Sequence, residues 1–111
     1  MSQALYIQRG ETIDYTPSSS VAAGAVVVQG DLIGVAVRPI PANTLGSLAV
    51  EGVFDFVKAT GSGTAILAGS IVFWDSANNR ASHTGTKLLG KAVMAASDSD
   101  ARVRVRIVQF A

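Results

Sequence analysis

The chain has 111 residues, a mass of 11.4 kDa and no cysteine, which fits one domain and excludes both a disulfide scaffold and a cysteine-ligated zinc site. Its 9 basic and 8 acidic residues give a formal charge of +1, so no strong electrostatic attraction to nucleic acid is expected. Hydrophobic residues make up 49% of the chain and charged residues only 15%. So small a domain cannot bury all of this apolar surface by itself. The composition therefore predicts that other subunits or a partner cover part of it.

No segment is typical of export or membrane insertion. The first nine residues lack the basic start and the apolar stretch of a signal peptide. The most apolar stretch, residues 21–40, is interrupted by Gln29, Asp31 and Arg38. It is therefore too broken for a transmembrane helix, which needs about 20 apolar residues. The sequence predicts synthesis in the cytoplasm.

Strand signals dominate the chain, and helix signals are scarce. Glycine or proline interrupts the sequence almost every ten residues, between runs rich in Val, Ile and Phe. This pattern predicts an all-β domain. In chain order, the predicted strands cover residues 12–16, 26–28, 32–37, 48–57, 71–75, 88–94 and 102–107. Tight turns are predicted at residues 29–31, 76–79 and 97–100, where Gly, Asn and Asp tolerate the backbone conformations of turns.

Three aromatic side chains are candidates for the core or for a subunit interface. Phe54 and Phe56 lie on the same face of the longest predicted strand, which carries Asp55 on its opposite face. Trp74 is the chain's single tryptophan, near the end of a short strand. We interpret it as a packing anchor, with Asp75 capping the turn that follows. Stacking of a ligand on the tryptophan is the less favoured alternative.

The last predicted strand presents a row of arginines. Arg102, Arg104 and Arg106 alternate with apolar residues and are expected to face outward while the apolar residues face inward. The favoured interpretation is a solvated face, or one paired with carboxylates such as Glu51 or Asp55 across the sheet. The alternative is a surface that binds single-stranded nucleic acid, although no aromatic residue for base stacking lies between the arginines.

The chain also resembles itself. Residues 23–28 followed by 32–37 parallel residues 68–73 followed by 88–93, and each pair is followed by a turn and a long strand. An internal duplication of a three-strand unit is therefore possible. A chance match between short Ala, Gly and Val strings is the alternative, and the all-β prediction does not depend on the choice.

Candidate catalytic and metal-binding residues are few. His83, the only histidine, lies in a polar loop and is interpreted as a solvated residue rather than a catalytic base. Asp98 and Asp100 lack the glycine and the bidentate glutamate of a calcium loop. Residues 61–63, Gly-Ser-Gly, lie in a loop predicted over 58–64 and lack the lysine of a phosphate-binding loop. We therefore predict no enzymatic activity, no metal and no cofactor.

Several short motifs follow one another along nearly the whole chain. They are Tyr6-Ile-Gln8 with Gly10 and Thr12-Ile-Asp-Tyr-Thr16, Gly34-Val-Ala36, Glu51-Gly-Val-Phe54 with Lys58, Ala68-Gly69, Val72-Phe-Trp-Asp75, Gly90 with Ala92, and the C-terminal strand of alternating valines. In order and spacing they resemble a family of small phage and prophage proteins, sometimes mislabelled as recombinase-related, several of which are capsid decoration, or cement, proteins. The chain departs from the family pattern at Arg9 and at Phe56-Val57, where relatives commonly carry Leu-Pro.

The resemblance implies a compact β-barrel-like or β-clip domain, similar to the lambda-type head-stabilising proteins. Such proteins usually form homotrimers on the outside of the capsid at local three-fold positions. The implied function is structural: the trimer would bind the expanded shell, bridge neighbouring copies of the major capsid protein and stabilise that state. The protein would be made in the host cytoplasm and reside in the virion.

The resemblance also suggests a role for the N-terminus. Residues 1–20 are expected to form an arm and linker, and residues 21–111 a single β domain. The arm would contact the capsid by adding a strand to an edge of a capsid protein, through Leu5, Tyr6, Ile7 and Gln8. Two other readings stay open: a binding module for single-stranded nucleic acid or carbohydrate that uses the arginine row, and a tail or baseplate component.

Overall fold

The computed structural model describes residues 3–7 and 10–107, and strands joined by turns make up the fold of this part. The strands are β1 Thr12–Tyr15, β2 Val26–Gln29, β3 Leu32–Val35, β4 Gly46–Ala49, β5 Gly52–Val57, β6 Ile71–Asp75, β7 Arg80–Ser82, β8 Leu88–Ala92 and β9 Arg102–Ile107. The all-β prediction is confirmed, since no helix occurs in these two ranges. Accordingly, no described helix has the length and apolar character needed to cross a membrane.

The strands form two antiparallel sheets. The first has the order β1-β4-β3-β2, and the second has the order β5-β9-β8-β6-β7. In the part of the chain that the structure describes, the edges of the second sheet meet at a single parallel bridge, between Lys58 and Ala81. The fold is therefore barrel-like without being closed, because a closed barrel needs a continuous ladder between its first and last strands.

The strand predicted over residues 48–57 is two strands in the structure. β4 ends at Ala49 and pairs with β1 and β3, whereas β5 begins at Gly52 and pairs with β9. The chain thus passes from one sheet to the other across two residues, and Gly52 has a φ of 131°, a conformation that favours glycine. Apolar residues alternate without interruption across this break, and the alternation conceals it in the sequence.

The main core lies between the two sheets. Its centre is aromatic, because the Phe56 ring packs edge-on against Phe54 and Trp74 at centroid distances of 6.1 and 6.0 Å. The buried members of this cluster are Ile33, Val35, Phe56, Ile66, Val72, Trp74, Ala81, Leu89, Ala92, Ala96, Val103, Val105 and Ile107. A second, smaller cluster contains Ala36, Ile40 and Leu48 and packs against half-buried residues of β1 and β2.

Most of the predicted turns are also confirmed. Gly30, between β2 and β3, has a positive φ of 62°, as the hairpin requires. Asp75 caps the turn after β6, where its Oδ1 accepts hydrogen bonds from the backbone N–H groups of Ala77 and Asn78 at 3.2 and 3.3 Å. β7, which pairs with β6, is not predicted from the sequence, because three residues are too few to show an alternating pattern.

Lys58 does not belong to the loop in which it was predicted. Its exposed fraction is only 3%, and it extends β5 to the bridge with Ala81. The ammonium group donates three hydrogen bonds, to the carbonyl oxygens of Ala59 (2.7 Å) and Asp100 (3.1 Å) and to Oγ1 of Thr64 (3.4 Å). Lys58 therefore joins the loop that follows it to the turn before β9.

Two hairpins share one backbone pattern, as an internal duplication would require. Each has a bridge at its base and a glycine N–H that donates to an alanine carbonyl oxygen. The matched bridges are Val21–Ile40 and Ile66–Ala96, and the matched hydrogen bonds are Gly24–Ala36 at 2.6 Å and Gly69–Ala92 at 2.7 Å. These contacts favour duplication over a chance match of short strings.

Candidate functional site

The polar residues considered for catalysis or metal binding do not converge. His83 is exposed in the loop after β7. Asp98 and Asp100 accept backbone hydrogen bonds that shape their loops, including one from the Ser97 N–H to Asp100 Oδ2 at 2.8 Å. Over residues 3–7 and 10–107, no three His, Asp or Glu side chains are grouped so that they could hold a metal ion. The exposed surface is therefore the candidate functional region.

The surface carries the surplus apolar area that the composition predicts. Eleven large hydrophobic side chains of the described residues are exposed: Leu5, Tyr6, Ile7, Val37, Leu45, Val53, Val57, Leu67, Ile71, Val93 and Met94. So many exposed large apolar side chains on so small a domain indicate surface that is available for contact with other proteins.

The N-terminal candidates form the most exposed part of this surface. Leu5, Tyr6 and Ile7 are 77%, 81% and 81% exposed. Gln8, the fourth predicted arm residue, lies outside the described residues. The first strand that follows, β1, pairs with β4 of the first sheet. The exposed apolar segment therefore precedes a strand that is anchored in the fold.

The outer face of the second sheet contains the predicted arginine row. Arg102, Arg104 and Arg106 are exposed, and the apolar residues between them are buried. Asp55 lies directly opposite Arg104 on β5 and accepts a hydrogen bond from its Nε at 3.1 Å. Pairing with a carboxylate across the sheet is thus confirmed for Arg104, and this hydrogen bond raises the pKa of its guanidinium group. The row therefore carries less free positive charge than its sequence suggests.

A neighbouring row on the same face has no acidic member. Val53 of β5 lies opposite Arg106 of β9, which lies opposite Lys91 of β8, and Lys91 lies opposite Ile71 of β6. Within the described ranges, no carboxylate lies at ion-pair distance from Arg106 or Lys91. We call these four residues the cation row. It brings two positive charges together between two aliphatic side chains.

The aromatic candidates lie inside the domain or at its margin. Phe56 and Trp74 are buried, and Phe54 is half-buried against them. An open groove of about 590 Å³ runs beside Trp74, lined also by Gly24, Ala25, Val26, Asp55, Phe56, Val57, Asn79 and Arg102. Trp74 exposes only 6% of its surface, so its ring faces are occupied by packing and are not presented to a ligand.

The fold, its exposed apolar surface and the dispersed polar residues together fit a protein that assembles with others. A family model described as Phage cement protein matches residues 7–107. The chain belongs to the phage cement protein family. No curated protein and no solved structure matches it.

Family membership assigns this cement protein a structural role in the capsid of a phage virion, in association with that capsid. The match includes Ile7 and extends through the whole of β9, so it spans both sheets. The cation row is not predicted from the sequence of the cement protein. Alternation places Arg106 on the outer face, but only the pairing register reveals that Lys91 lies opposite it.

Proposed function

We propose that this cement protein forms a homotrimer that binds the outside of the phage capsid and stabilises the expanded shell. The observation that carries the proposal is the exposure of eleven large hydrophobic side chains among the described residues. Apolar surface of this extent on a small domain is typical of a protein that contacts others. Contacts with other subunits and with the shell would cover it.

The N-terminal arm supplies one of these contacts in the proposal. Leu5, Tyr6 and Ile7 are apolar, exposed and outside any strand of the fold, which suits a segment that adds a strand to the edge of another sheet. The arm and linker are assigned to residues 1–20 and the β domain to residues 21–111. Because β1 lies within the first stretch and pairs with β4, the part free to reach the shell precedes Thr12.

Stabilisation follows from linkage between binding and shell conformation. A protein that binds only the expanded shell lowers the free energy of that state by an amount that grows with its concentration relative to its Kd. A cement protein made in the host cytoplasm would thus join the virion when the shell expands and aligns its sites.

Light scattering after size-exclusion chromatography tests the trimer. The proposal expects about three times 11.4 kDa, and a monomer at micromolar concentration contradicts it. Deletion of residues 1–10 is expected to abolish binding to expanded shells while the shortened protein still forms a trimer. A variant of full length, Leu5→Ser with Ile7→Ser, is the matched test of side-chain contacts. Unchanged shell affinity of both variants would refute the assignment of the arm.

The arginine row is a poorer fit to the alternative, a module for single-stranded nucleic acid or carbohydrate. The cross-strand neighbours of Arg102, Arg104 and Arg106 on β5 are Val57, Asp55 and Val53. These side chains provide one carboxylate and no aromatic ring, whereas sequence-tolerant binding of single strands depends on base stacking and on cations that are free to contact phosphates.

A further inference from the structure

The cation row places two like charges opposite each other on neighbouring strands of the second sheet. Arg106 and Lys91 are directly opposite on neighbouring strands, so their Cβ atoms lie about 4.5–5.5 Å apart. Like charges in this arrangement destabilise the sheet. Sequence choices that oppose local stability are expected at functional sites.

In the adjacent row on the same face, an acidic side chain neutralises the charge of an arginine. Asp55 lies opposite Arg104, and its Oδ1 is 3.1 Å from Nε of Arg104. One pleat repeat away, the equivalent position on β5 is Val53, which faces Arg106 and is 52% exposed. At the far end of the cation row, Ile71 is 44% exposed. The two charges are therefore bordered by aliphatic surface on both sides.

We propose that the cation row is the docking site for an acidic segment of the capsid protein. This inference rests on the proposed function, since the shell supplies the partner. One or two carboxylates of that segment would lie between Arg106 and Lys91, and apolar side chains would cover Val53 and Ile71. The four strands span three strand spacings, about 14 Å, which is the width of a compact contact patch.

Charge and shape together favour a protein partner. Arg106 and Lys91 attract carboxylates or phosphates equally well by charge. Val53 and Ile71 favour the carboxylates of a protein over the phosphates of a nucleic acid, because aliphatic side chains pack against apolar protein surface and offer no ring for base stacking. Further apolar area lies directly after the end of β8, where Val93 and Met94 are 44% and 55% exposed.

The test removes the two charges and measures binding to expanded shells of the encoding phage that lack this protein. The variant Lys91→Gln with Arg106→Gln is expected to bind roughly tenfold or more weakly at low salt, with a smaller dependence of affinity on salt. The control, Arg38→Gln with Lys87→Gln, has the same change in net charge on residues outside the row. It is expected to stay within about twofold of the native affinity. Equal affinities of the two variants would overturn the inference.

Further measurements separate the possible failures. Because the Gln variant loses a like-charge contact, its thermal midpoint at low salt should be no lower than that of the native protein, which excludes misfolding as the cause of weak binding. If the native protein does not bind shells, the proposed function fails. Suppose that the native protein binds shells, the arm-deletion variant does not, and the Gln variant binds with native affinity. That result refutes only the docking role of the cation row. Tight, row-dependent binding of a dT oligonucleotide with normal shell binding also overturns the inference.

Discussion

The substitution Lys58→Met tests whether a buried ammonium group holds two loops together without a carboxylate. Lys58 is 3% exposed, and its Nζ contacts two carbonyl oxygens, of Ala59 and Asp100, at 2.7 and 3.1 Å and the Thr64 hydroxyl at 3.4 Å. Methionine keeps a similar unbranched stem but donates no hydrogen bond. The substitution therefore removes the donor and leaves the loop oxygens without it.

The expected loss in the free energy of unfolding follows from these contacts. A hydrogen bond that involves a charged group contributes about 1.5–3 kcal/mol, and leaving a buried polar atom without a partner costs about 1–3 kcal/mol. Methionine no longer carries the desolvation penalty of a buried charge, which offsets part of the loss. We expect a net destabilisation of about 2–4 kcal/mol. For a chain of 111 residues, this lowers the thermal midpoint by about 9–17 °C.

Urea unfolding at fixed protein concentration, followed by the fluorescence of Trp74, measures the effect. Lys87→Met is the matched control, because Lys87 also donates two short hydrogen bonds, to Gly30 O at 2.7 Å and to Asp31 Oδ1 at 3.2 Å. The Asp31 side chain of that pair is fully exposed, so the control should lose less than about 1 kcal/mol. If the two methionine variants lose the same stability, burial of Lys58 is not what makes its contacts stabilising.

Two further predictions concern close packing and pH. Gly90→Ala should lower the free energy of unfolding by about 3 kcal/mol, because a Cβ at Gly90 would overlap the carbonyl oxygen of Arg106. The control is Gly10→Ala, which has open space around it and should change the free energy of unfolding by under about 0.5 kcal/mol. Equal effects of the two substitutions in urea unfolding would refute the packing argument. The hydrogen bond from Asn78 lowers the pKa of Asp75, so its contribution to stability is present above the ordinary aspartate pKa of about 3.9 and is lost as the pH falls through the lower folded value. Asp75→Asn should therefore lose less stability between pH 7 and pH 3 than the native protein, and an unchanged pH dependence would contradict this role of the carboxylate.

The strands that sequence reasoning placed well are those whose pattern is local. β9 alternates charged and apolar residues over its whole length, and the structure exposes and buries them in that order. β6 is bounded by a turn that Asp75 caps. Both signals arise from neighbours in the chain, so a single sequence is sufficient to interpret them.

The features that were not predicted from the sequence depend on contacts between residues far apart in the chain. The alternation over residues 48–57 is compatible with one strand, and only pairing with β1 and β3 on one side and with β9 on the other divides it. Lys58 follows β5 in a segment of polar and small residues, and its burial depends on the turn before β9, 42 residues further on. The cation row needs the register of four strands. Contacts of this kind are set by tertiary packing, which propensity and periodicity do not record.

The two sheets differ in how completely the chain itself buries them. In β9 of the second sheet, every inward side chain is buried, whereas β1 and β2 of the first sheet have no buried residue and consist of half-buried and exposed positions. The first sheet thus gains less from hydrophobic burial, and local stability follows the density of such contacts. It is also the sheet that continues from the exposed segment Leu5–Ile7. Under the proposed function, in which the arm contacts the shell, burial that is incomplete in the free chain leaves stabilisation to be gained on assembly, so the first sheet and the arm before it would become more stable when the shell is bound.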